Sequence, residues 1–334
     1  MSRNGDADDA GPPGGTAADG ADESPDGTAE PAAGGRGAHV VAGMAALFLA
    51  TVLCGVALSL PFEAAGLQQF ENPSSLGNTG LIVVEILVFT AIFLVALRYD
   101  RGVLVVRGLV LLAFGVMFSY PLRVALPAGV PVGAAYLGGL LCMAVLWVHP
   151  EWYVLDAAAV VGGAVIIGLF GVSLSVLPAL ALLAVLAVYD AYSVYVSEHM
   201  QSLAGGVIDL AVPMVFVVPA TREFSIREAE DMAAASSQAM FLGVGDAAIP
   251  GLLAVSANTY LATPSVVAGL NLPALGALVG SVVGLGALFV LLFRVERAHA
   301  GLPALNGCVI AGYLAGALAA GLSLPTALGL GGAL

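Results

Sequence analysis

Residues 173–195 read SLSVLPALALLAVLAVYDAYSVY, an apolar run long enough to cross a bilayer and broken by a single acid, Asp190. A spanning helix needs about 20 mainly apolar residues. An ionisable side chain near its middle costs about 3 kcal/mol, so it persists where it faces a cavity or a partner. The same pattern recurs along the chain, and that recurrence decides the fold. Apolar runs bounded by charge or by Pro and Gly clusters start near His39, Thr79, Gly102, Pro131, Tyr153, Ser173, Ser236, Pro264 and Leu302. The expected fold is an all-α polytopic membrane protein of about nine transmembrane helices.

Composition agrees. Of 334 residues, 60% are hydrophobic and 10% charged, with a mean hydropathy of +0.99, whereas soluble domains carry roughly a quarter charged residues. No polar block is large enough to fold separately, so one membrane domain, 38–334, is expected behind a tail, 1–37. The net charge of −13 is largely a property of that tail, since eight of the 23 acids fall within the first thirty residues. Built from Gly, Ala, Pro, Asp and Glu, the tail cannot bury enough surface to offset its ordering entropy and is expected to be disordered. Nothing points to a nucleic-acid partner. Cys54, Cys142 and Cys308 sit in separate apolar runs without CxxC spacing and read as small buried side chains. The first apolar run starts too far into the chain for a cleavable leader, so none is expected.

Cytoplasmic loops collect basic residues, so the ten arginines test helix count and orientation together. With the N-terminus inside, Arg3, Arg36, Arg98, Arg101, Arg107, Arg222, Arg227, Arg294 and Arg297 are cytoplasmic and only Arg123 is external. The expected arrangement is a cytoplasmic N-terminus, an external C-terminus and a cytoplasmic loop, 196–235, between the sixth and seventh spans.

Four acids fall within spans: Glu85, Asp156, Asp190 and Asp246. Asp190 follows Val188-Tyr189, and Asp246 follows Leu242-Gly243-Val244-Gly245. Both lie toward the cytoplasmic ends of their spans, where they could face each other. Two carboxylates held close in a low-dielectric site do not both ionise readily, so one keeps a proton and the other stays charged. That makes an acid and a base. The charged member can take a proton from a water attacking a peptide carbonyl while the other donates to the carbonyl oxygen. Gly243 and Gly245 suit such a site, since small residues let helices approach closely.

Tyr189-Asp190 in the sixth span, Gly243-Val244-Gly245-Asp246 in the seventh and Pro303-Ala304-Leu305 opening the ninth together resemble the presenilin and signal peptide peptidase family of GxGD intramembrane aspartyl proteases. The likeness to archaeal presenilin homologues runs over the whole membrane region. It implies that Asp190 and Asp246 are catalytic, and that Pro303 to Leu305 pack beside them and help bind substrate. It also implies transmembrane helices of membrane-anchored proteins, or signal peptide remnants, as substrates within the lipid bilayer, and no cofactor; it identifies no obligate protein partner. Pro-Ala-Leu also occurs at Pro178 to Leu180 and Pro273 to Leu275, but only the third copy follows the Arg294 and Arg297 turn into the last span. The arginine-based orientation matches presenilins, whereas signal peptide peptidases are inverted.

A proton- or ion-coupled transporter or channel using the same aspartates is the rival, although the two halves show no inverted pair of broken helices. Zinc and serine chemistry lack their motifs, since there is no HExxH and no GxSxG. His39, His149, His199 and His299 all fall at segment ends, so no metal site is expected. Glu85 reads as a helix-helix contact or as lining a substrate path, and Asp156, beside Trp152 and Tyr153, as structural. The segment Ile208 to Pro219 is too short and Pro-bounded to span. Two readings of it stand open: Met214 to Val218 as a strand edge that adds to an unwound substrate, or a membrane-surface cover over the site.

Overall fold

The structure, a computed structural model, describes residues 32–96, 99, 102–127, 129–195, 212–221, 223–226, 238–294 and 300–331. Among these, nine helices of 17 residues or more follow one another: α1 (Ala32–Ala64), α2 (Leu76–Ala96), α3 (Gly102–Ala125), α4 (Val132–Val148), α5 (Trp152–Ser173), α6 (Val176–Tyr195), α7 (Val244–Tyr260), α8 (Leu272–Arg294) and α9 (Leu302–Ala319). Two antiparallel strand pairs, β1 (Val215–Pro219) with β2 (Ala239–Gly243) and β3 (Ser265–Val267) with β4 (Leu270–Asn271), and a short α10 (Leu324–Ala327) complete it. The chain is a multi-pass membrane protein. Seven helices are long and apolar enough to cross a membrane, and α4 is a shorter apolar helix.

The remaining helix, α7, is enclosed by the others. Buried along most of its length, with Ala247, Ala248, Gly251, Leu252, Leu253, Ala254, Val255 and Ala257 all covered, it packs against α1, α5, α6, α8 and α9. A helix enclosed by other helices does not need a lipid-facing apolar surface. Its polar side chain Ser256 is satisfied by the Leu174 carbonyl at 2.8 Å, and the Tyr260 hydroxyl donates to the Val172 carbonyl.

Two boundaries differ from expectation. Helix α1 begins at Ala32, ahead of residue 38, and the tail before it lies outside the described residues. The seventh helix begins at Val244 and not near Ser236. Ala239 to Gly243 is instead β2, paired with β1 in the register Val215 to Gly243 through Pro219 to Ala239. A short apolar run fits either strand or helix by periodicity, and the available partner strand decides it. Of the loop expected at 196–235, residues 196–211, 222 and 227–235 lie outside the described residues.

Val212, Phe216 and Val217 are buried, and β1 packs on α1 and α5. In an antiparallel pair, opposed residues alternate between hydrogen-bonded and open positions. Val244 donates to Met214 O at 3.0 Å and Ala220 to Gln238 O at 2.8 Å, so even-numbered positions bond across the pair. Val215, Val217, Ala239, Phe241 and Gly243 therefore turn their backbone groups outward.

Candidate active site

Two helix N-termini build the site. Helix α9 starts with Gly301 as N-cap, then Leu302 and Pro303. Proline fits this first turn because it has no amide hydrogen to leave unpaired and its φ suits the helix. The first amides of any helix lack intrahelical partners and form a donor cluster at the positive end of the helix dipole. Asp190, buried near the end of α6, occupies that cluster: Leu302 N donates to its Oδ2 at 3.0 Å, and the Gly301 amide bonds to the same carboxyl.

Asp246 is the third residue of α7, whose N-cap is Gly243. Its carboxyl folds back to accept the Gly243 amide, the carboxylate half of a capping box. A Cβ at Gly243 would lie 3.2 Å from Asp246 Oδ2, so a larger residue there would press the carboxyl aside by a few tenths of an ångström. Gly245 is exposed, and a Cβ there would meet open space. Among the described residues no neighbour accounts for that glycine.

Helices α6 and α7 pack directly, and the two carboxyls are close enough for the charge of Asp190 to act on Asp246. Asp190 is buried and Asp246 half-buried as residues, and both carboxyls lie within the packing of α6, α7 and α9. Such a pair can act as acid and base on one water molecule.

The other expected residues divide. Pro303, Ala304 and Leu305 form the first turn of α9, with Leu305 fully buried among Met44, Phe48 and Leu288. The Pro178 and Pro273 copies stand in the first turns of α6 and α8, at the opposite end of the bundle. Tyr189 is half-buried beside Asp190. Glu85 lies on an exposed side of α2, while Ile82, Val83 and Ile86 face the core, so it is not brought to the aspartates. Asp156 is buried and accepts the Val217 amide at 2.7 Å. His149 bonds Tyr153 at 2.6 Å; His199 and His299 lie outside the described residues.

Four contributors were not foreseen from sequence. The Gly301 and Leu302 amides were legible in principle, since Gly-Leu-Pro before an apolar run is a helix-start signature. Asn306, one turn on, is buried and donates through Nδ2 to Leu183 O at 2.8 Å, tying α9 to α6; a lone Asn in a membrane helix was the available signal. Tyr195 accepts the Ala300 amide at 3.4 Å across the same junction.

Comparison with known proteins agrees with this geometry. The family model described as signal-peptide peptidase, presenilin aspartyl protease matches residues 45–322. No curated protein matches. Among solved structures, a presenilin family intramembrane aspartate protease in space group C222 is 32% identical, with a TM-score of 0.61 over 84% of this chain and 99% of that one. A presenilin family intramembrane aspartate protease in space group P2 is 33% identical, with a TM-score of 0.59 over 83% of this chain and 97% of that one. A family match over most of the chain, joined to a likeness that spans nearly all of both solved proteins, makes this chain a member of the signal-peptide peptidase and presenilin family of aspartyl proteases.

Proposed function

We propose that in this intramembrane aspartyl protease Asp190 and Asp246 are the catalytic pair, hydrolysing peptide bonds within transmembrane segments of membrane-anchored proteins or signal peptide remnants. The observation that carries the assignment is the convergence of two helix N-termini, α7 and α9, each holding one of two coupled carboxyls. The ionised carboxylate takes a proton from water, whose oxygen attacks the peptide carbonyl carbon. The protonated carboxyl donates to the carbonyl oxygen, giving a gem-diol. Collapse of the diol breaks the C–N bond, and a carboxyl proton passes to the departing nitrogen. Which aspartate starts with the proton belongs to the pair. Transport through the same aspartates is not favoured by the family or the fold.

Pro303 to Leu305 support the pair by keeping the α9 amides on Asp190, and Gly243 by leaving room for the Asp246 carboxyl. Tyr189 and Gly245 border the path of the substrate. Gly243→Ala is expected to lower kcat about tenfold on a single-span substrate with KM nearly unchanged, since a near-3 Å contact must displace the Asp246 carboxyl and about 1.4 kcal/mol of lost transition-state binding is a tenfold rate. Wild-type kcat in that variant would remove Gly243 from the site. The N-terminus is cytoplasmic and the C-terminus external, as the arginines argue; accessibility of a cysteine placed in the tail to impermeant reagents tests this.

An unwound substrate adds to β2 and not to the Met214 to Val218 edge that sequence suggested. The β1 edge is closed by Asp156 at Val217, and Pro219 offers no amide. The outward groups of Ala239 and Phe241 run instead straight toward Gly243 and Asp246. Strand addition supplies main-chain bonds without reading sequence. Phe241→Pro, which deletes one outward amide and none of the cross-pair bonds, is expected to cut about tenfold more slowly than Phe241→Ala, the worth of about one hydrogen bond. Equal rates would exclude this edge.

A further inference from the structure

Asp156 is a buried carboxyl that the hydrolysis does not use. It lies one turn into α5, 5% exposed, and reaches sixty-one positions along the chain to take the Val217 amide on its Oδ1 at 2.7 Å. Val217 is itself fully buried and sits at the centre of β1, on the side turned away from β2.

An unpaired strand edge is a template for any extended chain, and proteins block such edges with inward-pointing charges or prolines. The outward side of β1 carries both devices, the Asp156 carboxyl at Val217 and proline at 219. Among the described residues, the outward side of β2 meets neither at Ala239 or Phe241, and its next amide, Gly243, is held by Asp246. The two edges of one small sheet are therefore treated oppositely. The blocked edge faces α5; the open edge ends at the aspartate pair.

We infer that Asp156 is a positioning residue for proteolysis: by closing the outer edge of β1 and pinning that strand to α5, it leaves β2 as the edge on which substrate pairs, and so sets the register in which the substrate passes Asp246. The inference rests on the strand-addition reading above. Register matters because a strand that slips by one residue turns every side chain over and presents a different peptide bond to the same water. With the carboxyl gone, Val217 regains an open amide and β1 loses its tie to α5. Because α5 still covers the Val217 edge, the substrate then pairs against a displaced β2.

The test is cleavage of a single-span substrate by full-length protein in detergent, with cut positions read by mass spectrometry and kcat and KM measured alongside. Asp156→Asn keeps the Oδ1 acceptor and is expected to cut at the wild-type positions with kcat within about threefold. Asp156→Leu removes the acceptor and is expected to spread the cuts over neighbouring bonds, with kcat down about tenfold, the factor attached to one hydrogen bond. Should Asp156→Leu fail to fold, Asp156→Ser, whose hydroxyl is too short to reach Val217, is read for the same two changes. Wild-type positions and kcat in the Leu or Ser variant, with only a lowered thermal midpoint, would make Asp156 a purely structural anchor and overturn the inference. Scattered cuts in Asp156→Asn as well would overturn it too, because the acceptor would then not be what matters. Failure of the strand-addition reading shows separately, as equal rates in Phe241→Pro and Phe241→Ala.

Discussion

Gly312→Leu is expected to cost at least about 3 kcal/mol of stability and to silence the enzyme even where it remains folded. Helices α8 and α9 touch through backbone. A Cβ at residue 312 would lie 2.3 Å from the Gly276 carbonyl oxygen and 3.0 Å from Gly280 Cα, and one at 276 would lie 2.2 Å from the Gly312 carbonyl oxygen. Small residues spaced by four, Gly276, Gly280 and Gly284 on α8 against Cys308, Gly312 and Gly316 on α9, give the close packing on which membrane helices rely in the absence of a hydrophobic drive between them. No flexible side chain is available to move aside, so the helices must separate. Because the first turn of α9 holds Asp190, their separation withdraws the Leu302 amide from the site. In detergent the thermal midpoint should fall by roughly 6–12 °C. Gly286→Leu, on the open side of α8, should stay within about 2 °C of wild type. Equal stability of the two variants would mean that α8 and α9 do not pack through these glycines.

What sequence made legible was the solvent. Lone acids within long apolar runs, and arginines gathered on alternate turns, are enough to recover the succession of spans, and the paired aspartates stand out because an acid in a bilayer is costly. Ala239 to Gly243 departs from the expected helix because hydropathy does not separate a five-residue strand from the first turns of a helix, and the partner that makes it a strand, Val215 to Pro219, pairs from twenty to twenty-eight positions earlier. Asp156 read as an interfacial acid near Trp152. Its role depends on Val217, and a hydrogen bond across sixty-one positions leaves no local pattern. The α8 and α9 glycines carried a signal in their spacing, hidden among 43 glycines. Gly301 and Leu302 act through their amides, which every residue but proline owns, so side-chain chemistry could not mark them.

Asp190→Ala and Asp246→Ala should each reduce cleavage by about a thousandfold or more, within the range for removing a general acid or base. The double variant should be no slower than either single one, since two groups that act on one water fail together. Neither change should unfold the protein by way of the dyad. Asp246 is bonded to its own helix cap, and the α9 amides released by Asp190→Ala belong to a first helical turn, where amides lack intrahelical partners in any case. The most direct test is therefore detergent-solubilised cleavage of a model single-span substrate by wild type, Asp190→Ala, Asp246→Ala and the double variant, at matched folded concentrations. Cutting by wild type alone, with all three variants equally silent, is the predicted result; cutting that survives the loss of either aspartate would contradict the paired-carboxyl account.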